Sequence, residues 1–399
     1  MSISKIRFKG YENSLERKTL GEITTSFSGG TPKSSNKSYY EGNIPFIRSG
    51  EVKSKQTELF ISDEALKNSS AKLVEKGDVL YALYGATSGE VAISQINGAI
   101  NQAILAIKPN PGYSSEFIMN YLKKEKDNIL EKYLQGGQGN LSAAIVKSIE
   151  LYLPSIEEQS AIGSLFRTLD DLLASYKDNL ANYQSLKVTM LSKMFPKAGQ
   201  RVPEIRLDGF EGEWELLEIN DLADDFQSGG TPKTNVQEYW DGEIPWIQSS
   251  DLETDCLFEI KVQKSISEKG LKKSSAKIIP KDSIAVVTRV GVGKLAVMRH
   301  EYATSQDFLS LSNLKSNIEF TAYLLYRLLQ KEVTQLQGTS IKGITKVELL
   351  SEKVLIPSLS EQQAIGTYFS NLDNLIAAHQ EKISQLETLK KKLLQDMFI

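Results

Sequence analysis

Two long stretches of the sequence carry apolar residues at heptad spacing. The first stretch lies between Pro154 and Pro196, and the second follows Pro357. Apolar positions that recur every 3.5 residues over about five heptads are typical of a coiled coil. The sequence therefore predicts two long helices that pair along a narrow seam. The seam positions of the first are Ile162, Leu165, Phe166, Leu169, Leu172, Leu173, Tyr176, Leu180, Tyr183, Leu186, Met190 and Met194, and those of the second are Ile365, Tyr368, Phe369, Leu372, Leu375, Ile376, His379, Ile383, Leu386, Leu389, Leu393 and Met397.

The two helices belong to a duplication that runs through nearly the whole chain. Residues 28–52 read SGGTPKSSNKSYYEGNIPFIRSGEV and residues 228–252 read SGGTPKTNVQEYWDGEIPWIQSSDL, which gives an offset of 228 − 28 = 200. Residues 154–163, PSIEEQSAIG, match residues 357–366, PSLSEQQAIG, at an offset of 357 − 154 = 203. A period this long excludes a solenoid, whose repeats are about 20–50 residues. The chain is expected to be a tandem of two similar domains, each followed by a long helix.

Short apolar runs within each half predict strands and helices in mixed order. Three runs per half, separated by glycine-bearing turns, are typical of strands, such as Ile44–Ile47 and residues 78–83 in the first half. Residues 283–287, 244–247, 103–107 and 308–311 have the same character, and helical periodicity covers residues 115–133 and 319–336. The predicted fold class is α+β: two similar mixed α/β domains separated by the long helices, without the alternation of a parallel doubly wound sheet.

The repeat also predicts how the long helices pair. Duplicated halves tend to mimic a twofold dimer, and a pseudo-twofold relation makes the two helices antiparallel. The expected segments are a first domain at residues 1–156, a first helix and linker at 157–200, a second domain at 201–358 and a second helix at 359–399.

Composition restricts the class of protein. With 399 residues, 40% hydrophobic and 24% charged, the chain is long and apolar enough to bury two or three cores. The single cysteine, Cys256, excludes an internal disulfide framework. We find neither a signal-peptide pattern at the start nor an apolar run of membrane-spanning length, so the expected location is the cytoplasm, with no membrane partner.

The charge is small overall but unevenly distributed. The net charge is −3, which is unusual for a protein that binds nucleic acid. Residues 261–299, however, hold ten lysines and arginines against two acids, which is enough for phosphate contacts. The alternative interpretation is a solvated lysine-rich face.

The order of these motifs resembles a known family. Two domains that open on SGGTPK and continue to I-P-[FW]-I, each closing on S-x-x-E-Q-x-A-I-G and a heptad helix, resemble the DNA-specificity subunit of type I restriction-modification systems. The resemblance extends from Lys5 to Phe398. It implies two target-recognition domains that each read one half of a split double-stranded DNA site, and a coiled coil that sets the spacing.

The resemblance also implies partners and places the cofactor on them. Two methyltransferase subunits would dock on the long helices, and restriction subunits would join a larger complex. S-adenosylmethionine is expected on the methyltransferase subunits, and this chain is expected to bind no cofactor and no metal and to be a non-catalytic subunit.

Motifs of catalysis are absent or weak. The sequence has neither [ND]-P-P-[YFW] nor GxxxxGK[ST], and His300 and His379 have no metal-ligand companions at finger or zincin spacing. The glycines between Arg289 and Lys294 favour a turn over a phosphate loop. Glu51 and Lys53 have the spacing of a nuclease, but the second half has Asp251 and Glu253 there. Two alternatives stay open: a coiled-coil scaffold that binds only proteins, and a two-headed nuclease.

Candidate DNA-binding residues are the polar and basic side chains beside the shared turns, because such side chains bond to base edges and phosphates. Arg48 and Gln248 occupy one position of the shared frame, and arginine favours guanine whereas glutamine favours adenine. The candidates of the first domain are Thr31, Lys33, Lys37, Arg48, Ser49, Tyr84, Thr87, Gln138, Asn140 and Lys147, and those of the second are Thr231, Lys233, Gln248, Ser249, Ser250, Arg289, Lys294, Thr339, Ser340, Lys342 and Lys346.

Overall fold

The computed structural model describes residues 6–134, 140–335 and 343–398. The chain divides into two compact units. The first unit is Met1–Asp178 with Glu381–Ile399, and the second is Asn179–Gln380. Each unit therefore contains one of the two mixed α/β domains, which we call a head, and parts of both long helices.

The first half of the chain forms ten strands, five helices and three short 3-10 helices in the described residues. The strands are β1 (Glu16–Thr19), β2 (Thr24–Ser28), β3 (Ile44–Ile47), β4 (Phe60–Ile61), β5 (Lys72–Val74), β6 (Val79–Ala82), β7 (Val91–Ile93), β8 (Gly98–Ile100), β9 (Ile104–Pro109) and β10 (Glu150–Leu153). The helices are α1 (Leu20–Ile23), α2 (Asp63–Lys67), α3 (Ser115–Leu134), α4 (Ala143–Lys147) and the long α5 (Ile156–Lys193). The 3-10 helices are Lys37–Tyr40, Ser49–Glu51 and Gly85–Thr87.

The second half repeats this order with small differences. Its strands are β11 (Glu215–Glu218), β12 (Ala223–Ser228), β13 (Trp240–Ile247), β14 (Lys264–Ile266), β15 (Ser283–Val287), β16 (Leu295–Met298), β17 (Ala303–Thr304), β18 (Phe308–Leu314) and β19 (Lys353–Ile356). Its helices are α6 (Glu268–Lys272), α7 (Ile318–Gln335), α8 (Lys346–Ser351) and the long α9 (Leu359–Met397). The 3-10 helices are Ile219–Leu222, Gln237–Tyr239 and Ser249–Asp251.

Each head contains two larger sheets and one two-stranded sheet, which is β1-β10 in the first unit and β11-β19 in the second. In the first unit, one sheet has the order β2-β9-β6-β7, and the other has the order β4-β3-β8-β5 with β3 and β8 parallel. In the second unit the corresponding orders are β12-β18-β15-β16 and β14-β13-β17, again with one parallel pair. Buried apolar residues on β6, β9, β15 and β18 pack against α3 and α7. The structure confirms two similar mixed α/β heads.

The long helices run antiparallel where they meet within each unit. In the first unit, Lys390 pairs with Asp170, and Lys177 Nζ lies 2.6 Å from Glu387 Oε1. In the second unit, Lys187 Nζ lies 2.5 Å from Asp373 Oδ1. There the ring of Tyr183 also meets His379 edge-on, with centroids 5.1 Å apart. In both units the position on α5 increases as the position on α9 decreases, which confirms the predicted antiparallel pairing.

Some predicted seam positions are more open to solvent than a coiled-coil core. Leu186 and Leu389 are 40% and 45% exposed, and Leu172 and Leu375 are 39% and 44% exposed. The buried residue beside Leu186 is Lys187, whose ammonium neutralises Asp373. The seam is therefore partly polar at this level, where Tyr323 of α7 also donates to Asp373 at 2.7 Å, and the flanking leucines remain exposed.

The repeated Glu-Gln pair fixes each long helix to its head. Glu158 is 1% exposed and binds the guanidinium of Arg7, with Nε to Oε1 at 2.9 Å. The Gln159 side chain accepts from the Ser114 backbone N–H at 3.1 Å and donates to the Pro154 carbonyl at 2.9 Å. The second unit repeats these contacts through Arg206, Glu361 and Gln362. The motif is thus a structural joint between the start of the long helix, the chain before the first strand and the helix beneath it.

The predicted elements lie close to the observed ones. Residues 78–83 form β6 over Val79–Ala82, residues 283–287 form β15, and the two predicted helices end within one residue of α3 and α7. Many shorter elements had not been predicted, among them the two-residue strands β4 and β17, the short helices α1, α2, α4, α6 and α8, and the strand β1, which pairs with β10. No helix among the described residues has the length and apolar character needed to span a membrane.

Candidate nucleic-acid interface

The sheet topology brings several connecting loops to one end of the first head. Strand β2 ends at Ser28, which pairs with Leu105 near the start of β9, and β6 ends at Ala82, which pairs with Ile104. Strand β3 ends at Ile47, which pairs with Ile100 at the end of β8. The segments 29–37, 48–51, 83–90 and 101–103 therefore leave the sheets at the same end. We call this the loop end of the unit.

The second head has an equivalent loop end. Ser228 pairs with Leu309, Val287 with Phe308, and Ile247 with Thr304. These registers place segments 229–237, 248–251, 288–294 and 305–307 together. Binding residues commonly lie on loops of this kind, because the loop side chains are accessible to solvent while the sheets hold the loop backbone in place.

Most candidate residues of the first head lie on its loop end. Tyr84 forms an isolated β-bridge with Asn140, which brings the segment after α3 to this end as well. The candidates at the loop end are Thr31, Lys33, Lys37, Arg48, Ser49, Tyr84, Thr87 and Asn140. Lys147 lies elsewhere, at the end of α4 beside Gly21 of α1. Gln138 lies outside the described residues.

The second head gives a similar picture. Its loop end holds Thr231, Lys233, Gln248, Ser249, Ser250, Arg289 and Lys294. Lys346 lies beside β12, where its ammonium donates to the carbonyl of Phe226 at 3.1 Å. Thr339, Ser340 and Lys342 lie outside the described residues.

Two carboxylates hold the Arg48 side chain. Its Nε and Nη2 donate to Glu51 at 3.2 and 3.0 Å, and Nη2 also donates to Glu58 at 2.6 Å. These carboxylates raise the pKa of the Arg48 guanidinium. Burial opposes ionisation of Glu51, but the bonds from Arg48, from two backbone N–H groups and from Thr57 outweigh it and lower the pKa of Glu51 to about 2. Arg48 is therefore charged, oriented and 41% exposed.

Gln248 occupies the same place in the second head with other partners. Its backbone N–H donates to Asp251 Oδ2 at 3.1 Å, as the backbone N–H of Arg48 donates to Glu51 at 3.0 Å. Lys264 Nζ lies 3.4 Å from the Gln248 amide oxygen and sits over the rings of Trp240 and Trp246. Glu51 and Asp251 thus cap equivalent 3-10 helices in the two heads. This structural role accounts for the carboxylate at position 51, whose spacing from Lys53 had suggested a nuclease.

The glycine-bearing segment after Arg289 is a turn. Gly291 has φ of +91°, and Lys294 donates to the backbone carbonyls of Ser249 at 3.3 Å and Leu252 at 2.7 Å. The Lys294 ammonium is therefore used to hold two neighbouring loops together. Arg289 is exposed at the tip of this turn.

The basic block at 261–299 is only partly available to a ligand. Lys269 binds Glu238 at 2.6 Å, Lys272 binds Glu268 at 3.0 Å, and Arg299 binds Asp282 at 3.1 Å. Together with Lys294, these pairings use a substantial part of the block for local structure. Among the described residues, no group of three or more His, Cys, Asp and Glu side chains is arranged to hold a metal ion.

One pair of residues at the loop ends was missed in the sequence. Gln102 follows β8, which is parallel to β3, and Gln306 follows β17, which is parallel to β13. Each glutamine accepts a hydrogen bond from the threonine of the SGGTPK turn. A signal was present, because glutamine recurs at an offset of 306 − 102 = 204 while its neighbours, Asn101 and Ser305, differ. Its separation of more than 70 residues from the turn concealed the contact.

The comparisons with known proteins agree with this architecture. The family model described as "Type I restriction modification DNA specificity domain" matches residues 13–182 and 211–388, once in each half. The chain belongs to this family and carries its domain twice.

Curated relatives carry the same description. The type I restriction enzyme MjaVIII specificity subunit of Methanocaldococcus jannaschii is 22% identical over 347 residues, covering 81% of this chain and 78% of the relative. The MjaIX specificity subunit of the same organism is 29% identical over 194 residues, covering 47% of this chain and 44% of that relative. This second match spans less than half of the MjaIX subunit.

Solved structures share the fold. The S subunit of a type I restriction-modification system from M. genitalium has a TM-score of 0.65 at 15% identity, covering 100% of this chain and 99% of that one. A chain from a study of complex assembly and conformational transition of the type I R-M system has a TM-score of 0.53 at 17% identity, covering 96% and 97%.

Proposed function

We propose that this chain is the DNA-specificity subunit of a type I restriction-modification complex. The heads at residues 1–156 and 201–358 would each read one half of a bipartite site in double-stranded DNA. The observation that carries the proposal is a shared backbone frame with different side chains at the loop ends. Arg48 and Gln248 directly follow equivalent strands, and Tyr84 and Arg289 lie two residues beyond another equivalent pair. Two different half-sites require such differences.

The chemistry of these positions suits base reading. Arginine donates in pairs to guanine O6 and N7, whereas glutamine matches adenine N6 and N7. Glu51 and Glu58 hold the Arg48 guanidinium in place, and Lys264 holds the Gln248 amide oxygen. Side chains fixed in this way lose little conformational freedom on binding, which favours selectivity.

We propose that the helix pair sets the spacer length and docks two methyltransferase subunits. Exposed leucines support this role because they recur at an offset of 203 residues on the two helices. The ion pair between Lys390 and Asp170 brings Leu172 to the level of Leu389 in the first unit, and the pair between Lys187 and Asp373 does the same for Leu186 and Leu375 in the second. Two equivalent apolar patches suit two copies of one partner.

The chemical steps would belong to the partners. The methyltransferase subunits would bind S-adenosylmethionine and transfer the methyl group, and restriction subunits would join the larger complex. This chain would select the DNA site without catalysing a reaction, and would work in the cytoplasm.

A gel-shift assay separates this proposal from the two alternatives. Full-length chain is mixed with a duplex that carries its site and with a scrambled duplex, each with and without the methyltransferase subunits. Preference for the site that increases with the methyltransferase subunits supports the proposal. A protein-only scaffold would shift neither duplex, and a nuclease would cleave DNA in the absence of any partner.

Substitution of Arg48 and of Gln248 tests whether each head reads its own half-site. We expect Arg48→Ala to relax selectivity at one position of one half-site and Gln248→Ala to relax it in the other half-site. Mapping of modified bases in cells measures both effects. A uniform loss on all sequences would instead make Arg48 a phosphate contact.

A further inference from the structure

Both loop ends carry the same exposed hydrogen bond between a threonine and a glutamine. Thr31 Oγ1 donates to Gln102 Oε1 at 2.6 Å, and Thr231 Oγ1 donates to Gln306 Oε1 at 2.6 Å. Both glutamines are exposed. Because the amide oxygen accepts from the hydroxyl, the amide is oriented and its Nε2 hydrogens face no acceptor among the described residues.

The turn that carries each threonine is held rigidly. A Cβ on Gly29 would lie 1.8 Å from the carbonyl oxygen of Ile100, and one on Gly229 would lie 2.0 Å from Thr304 Oγ1, so only glycine lets the turn approach the strand. The turn is also held from its other side. Tyr40 donates to the carbonyl of Pro32 at 2.8 Å, and Trp240 donates to the carbonyl of Lys233 at 3.1 Å.

A lysine lies two residues beyond each threonine. Lys33 and Lys233 are both exposed, and in the part of the chain that the structure describes neither forms an ion pair. Each loop end thus presents an ammonium on a rigid turn and, beside it, an amide donor that the threonine hydroxyl orients. These are the groups that contact the sugar–phosphate backbone of DNA in most complexes.

The repetition decides what these groups bind. Two heads that read different half-sites need different side chains towards the bases, as at Arg48 and Gln248. A set that is identical in both heads suits a feature that both half-sites share, and the phosphate backbone is such a feature. We infer that Thr31, Lys33 and Gln102 in the first unit, and Thr231, Lys233 and Gln306 in the second, form two equivalent phosphate-binding sites that position each head without reading sequence.

This inference rests on the proposed function and accounts for the repeated SGGTPK motif. The glycines and the proline shape the turn, and the threonine orients a glutamine that follows the parallel strand pair. This glutamine and the lysine contact the DNA. On this inference the motif is present in both heads because both bind the same sugar–phosphate backbone of DNA.

The test measures DNA binding by the full-length chain with its modification subunits. The probes are a fluorescent duplex that carries the bipartite site and a duplex of equal length with both half-sites scrambled. Dissociation constants are measured over a range of KCl concentrations. The variants are the double substitutions Lys33→Ala with Lys233→Ala, and Gln102→Ala with Gln306→Ala.

A matched control comes from the same repeat. Lys76 and Lys281 are equivalent, exposed lysines before β6 and β15, at the opposite end of these strands from the loop ends. The double substitution Lys76→Ala with Lys281→Ala removes the same charge without touching the proposed sites. Far-ultraviolet circular dichroism checks that every variant is folded.

The lysine variant should reduce the magnitude of the slope of log K against log [KCl] by about 2. Each of the two lost phosphate contacts leaves about 0.9 counterions bound to the DNA. The same relation gives a weakening of roughly 30-fold at 0.15 M salt, equal on both duplexes. The glutamine variant should weaken binding equally on both duplexes with an unchanged slope, since an amide carries no charge. The control should match the wild type, and the modified sequence should stay the same in all variants.

Two results would overturn the inference. If the lysine variant has the same slope of log K against log [KCl] as the control, Lys33 and Lys233 do not contact phosphates. If the glutamine variant modifies new sequences, Gln102 and Gln306 read bases. Failure of the proposed function is distinguishable from these results, because the wild-type complex itself would then show no preference for its site over the scrambled duplex.

Discussion

Substitution of Arg206 by methionine should destabilise the second unit strongly. Arg206 Nε and Nη2 donate to the two oxygens of Glu361 at 2.8 and 2.7 Å, and Nη1 donates to the carbonyl of Gly212 at 2.7 Å. Glu361 is only 2% exposed. Methionine would leave this carboxylate buried without a counter-charge, which costs about 3–5 kcal/mol.

The tryptophans allow this loss to be measured in one unit. All three, Trp214, Trp240 and Trp246, lie within Asn179–Gln380, so tryptophan fluorescence reports the second unit alone. With a urea m-value of about 2.5 kcal/mol/M, the midpoint of the fluorescence transition should fall by roughly 1–2 M.

Three further variants sharpen the experiment. Arg206→Met with Glu361→Met should recover much of the loss, because no buried charge remains. Arg7→Met breaks the equivalent pair in the first unit, and should lower the transition followed by circular dichroism more than the one followed by fluorescence. Arg17→Met removes an exposed pair with Glu150, whose side chains are 59% and 49% exposed, and should change little. A midpoint for Arg206→Met within about 0.3 M of the wild type, the range of an exposed pair, would refute the reasoning.

Three other predictions follow from the same structure. Glu51→Gln should destabilise the first unit by at most about 3 kcal/mol at pH 7. Because the folded pKa of Glu51, about 2, lies below its unfolded value, this difference should be complete above pH 5 and shrink as the pH falls towards 2, as urea melts at several pH values can show. Adding one heptad to both long helices lengthens the pair by ~10 Å, about three base pairs. Base-modification mapping should then find a longer spacer and unchanged half-sites, whereas altered half-site bases would mean that the helices do not set the spacing. The fragment Met1–Gly199 should form an antiparallel homodimer by light scattering, because residues 178–196 of a second copy match the 381–399 segment that packs in the first unit. With methyltransferase subunits it should modify an interrupted palindrome of the first half-site, and a folded monomer or a modified direct repeat would count against the model.

Much of the architecture was readable from the sequence because the signals were periodic and occurred twice. The heptads predicted the long helices, and their duplication predicted an antiparallel pair. The buried ion pair between Lys187 and Asp373 in the seam was not predicted. A lysine between Leu186 and Val188 does not indicate that an aspartate lies opposite it on the other helix. Heptad position identifies the face of a helix, but burial depends on what covers that face.

The candidate interface was predicted only in part, for a similar reason. Thr31 and Lys33 were found beside a repeated turn, whereas Gln102 was missed because the parallel pairing of β3 with β8 brings it there from far along the chain. Arg48 was correctly assigned to an equivalent position with Gln248, but its two carboxylate partners come from the following loop. Contacts between distant segments are set by sheet topology, which single residues do not reveal.

The most direct test of the central claim is modified-base sequencing of DNA from cells that express this chain with its methyltransferase subunits. The wild type should modify a split site with two different halves around a non-specific spacer. A chain whose second head, residues 201–358, is replaced by a second copy of residues 1–156 should modify the first half-site twice, in inverted orientation, with a similar spacer. An unchanged site after this exchange would contradict the claim that each head reads one half.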